Sequence, residues 1–190
     1  MKHFKLLLLV IAFLGIKLPS FSQGFTPPAD SNAVVYFVRV SNFGGAISFE
    51  YFDNEKFVGI FKGKNYMRYE CPAGKHLLWA SSENKEFLDC DLKAGEIYLV
   101  LVNIEMGMWK ARVGLEPLTV DNKDFERAKA LVLKQAPIET SEDKIKSTQE
   151  KLTERGFVEN IMKLYEEKWK HDECTKKLNS EYAIPREKLN

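Results

Sequence analysis

Beyond its first 22 residues the chain holds two histidines, His76 and His171, and three cysteines, Cys71, Cys90 and Cys174. These are the side chains whose types could do nucleophilic, acid-base or metal chemistry. His76 directly follows the run Pro72-Ala-Gly-Lys75. Proline cannot donate to a ladder and glycine accepts positive φ, so an imidazole there starts a strand and caps a turn carbonyl rather than acting as a general base. His171-Asp-Glu-Cys174 has a spacing that would put two ligands on one face of a helix. A tetrahedral structural zinc site wants four, however, and no second pair is evident. No Gly-x-Ser-x-Gly elbow, His-Glu-x-x-His helix or phosphate loop occurs. The reading is therefore of a chain with no catalytic residue, no metal and no cofactor.

Cys71 ends one extended run and Cys90 lies on the apolar face of another two hairpins later, so both can point into one core. Pairing them would close a loop of about 20 residues and stabilise by roughly 3 kcal/mol. The alternative is two small buried thiols that pack as hydrophobes. Cys174 is left over as a free thiol. Tyr66 and Tyr69 with Trp79 could form an aromatic face for glycan contact, or serve as core and cross-strand partners. Met106-Gly-Met108-Trp109 falls in a loop between the last two strands, where exposed apolar side chains would mark a contact patch. Arg39, in a strongly apolar run, must sit at a strand end or pair with an acid, because an unpaired buried guanidinium is costly.

These residues have to be positioned by the rest of the chain. Residues 1–22 read as a cleaved export signal: Lys2, His3 and Lys5, then 11 uncharged residues from Leu6 to Ile16, then Ser20-Phe-Ser22. Lys17 and Pro19 end the apolar run short of the roughly 20 residues that span a bilayer. No cysteine lies near the cut for lipid attachment, so the expected product is exported, periplasmic or secreted, without stable membrane insertion. Removing three lysines and no acid leaves 25 basic against 27 acidic residues. That balance gives no footprint for nucleic acid or anionic lipid.

Residues 23–32, with Pro27-Pro28, read as a linker. From 33 to 120 short β-branched and aromatic runs alternate with turns every 8 to 12 residues or so, the pattern of an antiparallel β-sandwich of about 7–8 strands. Asp53-Asn-Glu-Lys56, Pro72-Ala-Gly74 and Ala94-Gly95 are hairpin turns. Past residue 120 the period becomes helical. Asp121 is a plausible N-cap, and Phe125, Ala128, Leu131 and Val132 form the first stripe. Ile145 and Leu152 form a thin second one, and Phe157, Ile161, Leu164, Tyr165 and Trp169 a third. The extension at 121–190 carries 15 acids and 15 bases, so it is a solvated helical segment. Its stripes must bury against the sandwich, each other or a partner chain.

Val35-Tyr-Phe-x-Arg39, Gly44-Gly-Ala-Ile-Ser48, Gly59, Pro72-Ala-Gly-Lys-His76 and Ala94-Gly-Glu-x-Tyr98 resemble the bacterial domain of unknown function 2846 family across about residues 33–120. Val40 departs from it, standing where the pattern has proline. The resemblance, which extends to the carbohydrate-associated PEGA-type modules, implies a prealbumin-like sandwich with no established activity. The function expected is a non-catalytic exported binding or scaffolding module of the cell envelope. Its helical tail would dock a protein partner or a second copy. The alternatives are glycan or envelope binding through the aromatic face, and, as the poorest reading, an enzyme or enzyme inhibitor.

Overall fold

A computed structural model describes residues 24–106, 111–170 and 175–190, Met106 by its backbone alone. The export signal at 1–22, Met108 and Trp109, and the His171/Cys174 pair lie outside the described residues.

Eight strands follow one another: β1 (Asn32–Arg39), β2 (Ser48–Asp53), β3 (Lys56–Lys62), β4 (Asn65–Pro72), β5 (Gly74–Ser81), β6 (Lys85–Leu92), β7 (Ile97–Met106) and β8 (Ala111–Leu118). Helices α1 (Phe125–Lys134), α2 (Glu142–Glu154) and α3 (Phe157–Leu164) come next, and α3 widens into a π-turn at Tyr165–Trp169. A ninth strand, β9 (Lys176–Leu178), and two 3-10 turns complete the chain. The strands form two sheets, ordered β4-β1-β7-β8 and β3-β2-β5-β6-β9. The fold is mainly β and sandwich-like, with C-terminal helices.

The sheets are mixed rather than purely antiparallel. β1 pairs parallel with β7, and β9 parallel with β6, while the β2–β3, β5–β6 and β7–β8 hairpins are antiparallel as expected. The Pro72-Ala-Gly74 and Ala94-Gly95 turns, expected as hairpins, instead carry the chain from one sheet to the other. The parallel pair arises because β1 and β7 are far apart in sequence and need no tight turn between them. β9 leaves no mark in the sequence pattern, since three residues carry no readable period.

Three apolar cores stack through the molecule. Between the sheets lie Ala33, Val35, Phe37, Tyr51, Leu78, Leu88, Val100 and Leu115. The outer face of the first sheet carries Val34, Tyr36, Val38, Leu99 and Leu101, and α1 covers it with Phe125, Ala128, Leu131 and Val132. The outer face of the second carries Phe52, Phe57, Leu77 and Trp79, covered by Leu152 of α2 and by Val158, Ile161 and Tyr165. β1 and β7 are therefore apolar on both faces because both faces are covered. The extension is no appendage: each of its stripes is spent on this chain's own sheets.

The last residues stitch the two sheets together. Leu178 of β9 enters the inter-sheet core, while Ile184 and Leu189 enter the core beneath α1. The Ile184 amide donates to the Ile97 carbonyl at 2.9 Å. Sheet edges are covered too. On β3, the Phe57 amide donates to Gln149 Oε1 at 2.6 Å and the Ile60 amide to Thr140 Oγ1 at 2.9 Å. On β8, the Asn84 side chain bonds both the amide and the carbonyl of Val113, each at 2.8 Å. On β4, the Tyr66 carbonyl accepts from the Ile138 amide at 2.8 Å. Unpaired edge groups invite strand addition, and these contacts block it.

Asp121 does not cap α1. The chain first makes a turn in which Asn122 Oδ1 accepts from the Asp124 amide at 2.9 Å, and the helix starts at Phe125 with Asp124 before it. Two residues past the end of α2, Gly156 takes a φ of 59° and turns the chain into α3.

Candidate functional site

The described polar cluster with the chemistry of a site lies inside the sandwich, at the turn between β4 and β5. Gly74 holds a φ of 124°, which an L side chain avoids, and so lets Cys71 and His76 face each other across the turn. β2 runs antiparallel to β5, with Asp53 opposite Leu78. Asp53 follows Phe49 and Tyr51 on the inward face and therefore reaches the same interior. Tyr69, two residues before Cys71 on β4, faces inward for the same reason.

His76 Nδ1 lies 2.7 Å from Asp53 Oδ2, and His76 Nε2 lies 2.8 Å from the Pro72 carbonyl oxygen. The Tyr69 hydroxyl donates to Asp53 Oδ2 at 2.8 Å, and Asn54 Nδ2 donates to Oδ1 at 2.8 Å. Asp53 Oδ, Cys71 Sγ and the ring nitrogen of His76 lie within 4.8 Å of one another. The hydrogen bond to Asp53, helped by the Cys71 sulfur, pushes His76 up to about 10. Burial, with the bond to Asp53, raises the Tyr69 hydroxyl well above the usual phenol range.

Cysteine, histidine and aspartate together suggest a thiol nucleophile with its base, but the hydrogen bonds argue against that role. A base needs a free lone pair directed at the proton it takes. Here both ring nitrogens face acceptors, so both donate and the ring is an imidazolium. Cys71 is 3% exposed, which shuts out a substrate. The turn-capping role expected of His76 is present in its bond to Pro72. The sequence places Asp53 in a turn, and the structure adds its partnership with His76, to which its inward parity after Phe49 and Tyr51 is the local pointer.

Cys71 and Cys90 are both free and both buried in the inter-sheet core. Of the two readings open for this pair, the structure holds the second, two small thiols packed as hydrophobes, one from β4 of one sheet and one from β6 of the other. Burial pushes the Cys90 thiol up. The aromatic face does not assemble. Tyr66 lies under α1, its hydroxyl donating to the Gln135 carbonyl at 2.8 Å; Tyr69 is between the sheets; Trp79 stacks on Phe52 at 3.9 Å beneath α3. β-strand alternation and the helical cover send the three rings into three different cores. Of the loop residues, Met106 ends β7 opposite Ala111.

Arg39 sits at the end of β1 as expected, but its partners are carbonyls rather than an acid. Its guanidinium donates to the Ile47, Phe43 and Gly44 carbonyls at 2.8, 2.7 and 2.6 Å. Burial lowers its pKa from the usual arginine value. These bonds fix the β1–β2 loop, whose Gly44 has a φ of 61° and no room for a Cβ beside Ile47 and Ile104. At the tip of this pinned loop Phe43 is 56% exposed.

Among known proteins, no family model matches the chain and no curated protein matches its sequence. The family resemblance thus rests on its turn motifs alone.

Proposed function

We propose that the protein is a non-catalytic binding or scaffolding module, acting after export, that presents the β1–β2 loop end of its sandwich to a protein partner. The observation that carries this reading is Phe43 on the loop pinned by Arg39. Taking a guanidinium out of water with no carboxylate beside it is costly, and here that cost goes into fixing the backbone of a loop that shows an aromatic ring to solvent. The helices occupy both outer sheet faces and contacts close the β3, β4 and β8 edges, which favours the loop ends as presenting surfaces. A fixed aromatic anchor is the kind of group that dominates protein interfaces. The locked Asp53–His76 pair supports the non-catalytic part.

A photo-crosslinking phenylalanine analogue at position 43, compared with one at Lys163 on α3, tests the proposal in cells that make the protein. A discrete adduct from position 43 alone is expected. Equal labelling at both positions, or none at 43, would refute it. Phe43→Ser should leave folding stability within about 0.5 kcal/mol, as for other exposed sites.

A further inference from the structure

We propose that Asp53, Cys71 and His76 form a binding site for a zinc-class divalent cation, through a carboxylate oxygen, the Cys71 thiolate and Nδ1 of His76. Their ligand atoms lie within 4.8 Å of one another, close enough that small side-chain rotations bring all three to the bond lengths of about 2.0 to 2.3 Å that one ion takes. The donors select the metal. Thiolate, imidazole and carboxylate make a borderline-soft set suited to zinc, whereas calcium and magnesium take oxygen ligands.

The surrounding hydrogen bonds are those a metal site needs. A metal-bound histidine fixes its ring by donating its other N–H to a carbonyl or carboxylate. His76 Nε2 does so to the Pro72 carbonyl at 2.8 Å, which leaves Nδ1 as the nitrogen aimed at Asp53. The carboxylate is itself oriented by Tyr69 and Asn54, each at 2.8 Å. Ion binding displaces the Nδ1 proton and the Cys71 thiol proton, both released to solvent. A dication with one thiolate and one carboxylate is neutral, so the interior gains no net charge. A water can fill the fourth position; Cys90 pairs with His76 in the β5–β6 register but its sulfur stands outside the group of three. The ion would join β4 of one sheet to β2 and β5 of the other, a structural rather than catalytic role.

The full chain, stripped with a chelator, is titrated with cobalt(II) and then with zinc. One cobalt per chain is expected, with a thiolate-to-cobalt charge-transfer band that zinc abolishes. Cys71→Ala should weaken affinity more than about 100-fold, and Tyr69→Phe, which keeps the ring, about 10-fold. X-ray absorption of the zinc-loaded wild type should report one sulfur ligand. These last two measurements stand even if Cys71→Ala fails to fold. No charge-transfer band, a nitrogen/oxygen-only shell, unchanged affinity in Tyr69→Phe, or a band that survives Cys71→Ala and disappears in Cys174→Ala would each overturn the proposal.

Discussion

His76 Nδ1 and Asp53 Oδ2, 23 positions apart in sequence, meet at 2.7 Å inside the sandwich. Because Nε2 is held at 2.8 Å by the Pro72 carbonyl, the pair is a half-buried imidazolium and a buried carboxylate. In chelator-treated protein, with His76 raised from 6.5 to about 10, its stabilisation is full below about pH 6.5 and is lost as pH rises through about 10. Urea unfolding across that window should show stability falling with pH. Asp53→Asn should cost about 3 kcal/mol at pH 6 and flatten the slope. A slope unchanged in Asp53→Asn would show that other groups set it.

Arg39→Lys keeps the charge but loses the planar fork that reaches three carbonyls. It should destabilise by roughly 3 kcal/mol. Hydrogen exchange at the Ile47 amide, which is bonded to the Gly44 carbonyl at 2.8 Å, should speed up more than exchange in β7. Uniform acceleration would mean that the arginine supports the whole fold rather than this loop.

Trp79→Ala removes a ring that stacks at 3.9 Å on Phe52 and donates its Nε1–H to the Asn54 carbonyl at 2.8 Å. A loss of about 3 to 5 kcal/mol in urea unfolding is expected. The same core holds α2 and α3 on the sheet, so truncation after Glu139 should expose Phe52, Phe87 and Trp79 and bind a hydrophobic dye. A truncated chain that unfolds as cooperatively as the whole would refute the docking.

Gly59 has no space for a side chain: a Cβ there would come within 2.9 Å of both Met67 Sδ and Thr140 Oγ1. Since Thr140 Oγ1 accepts from the Ile60 amide on the edge of β3, Gly59→Ala should displace that clasp and cost about 1 to 3 kcal/mol. Thermal unfolding of the single variant and of Gly59→Ala with Thr140→Ala measures the coupling; purely additive losses would separate the two effects.

Both free thiols are buried, so in a Cys174→Ser background a thiol reagent should label neither Cys71 nor Cys90 in the folded protein and both in denaturant. Fast labelling of Cys71 alone would reveal an opening at the turn that its 3% exposure does not show.

Sequence by itself determined most of the local structure. Alternation of inward Phe49 and Tyr51, the glycine turns at Gly74 and Gly95, and the stripe of Phe125, Ala128, Leu131 and Val132 are short-range patterns, set by backbone sterics and by the periods of strand and helix. The strands and the stripes of α1 and α3 follow from them. Tertiary structure decided what those patterns were for. Whether the stripes faced a partner or this chain's own sheets, and whether Tyr66, Tyr69 and Trp79 shared a face or entered three cores, depended on strand order and layer stacking. Asp53 reached His76 and Cys71 only when β2, β4 and β5 closed on one interior. Contacts between distant residues leave no period in the chain, because nothing local rewards them until the sheets pack.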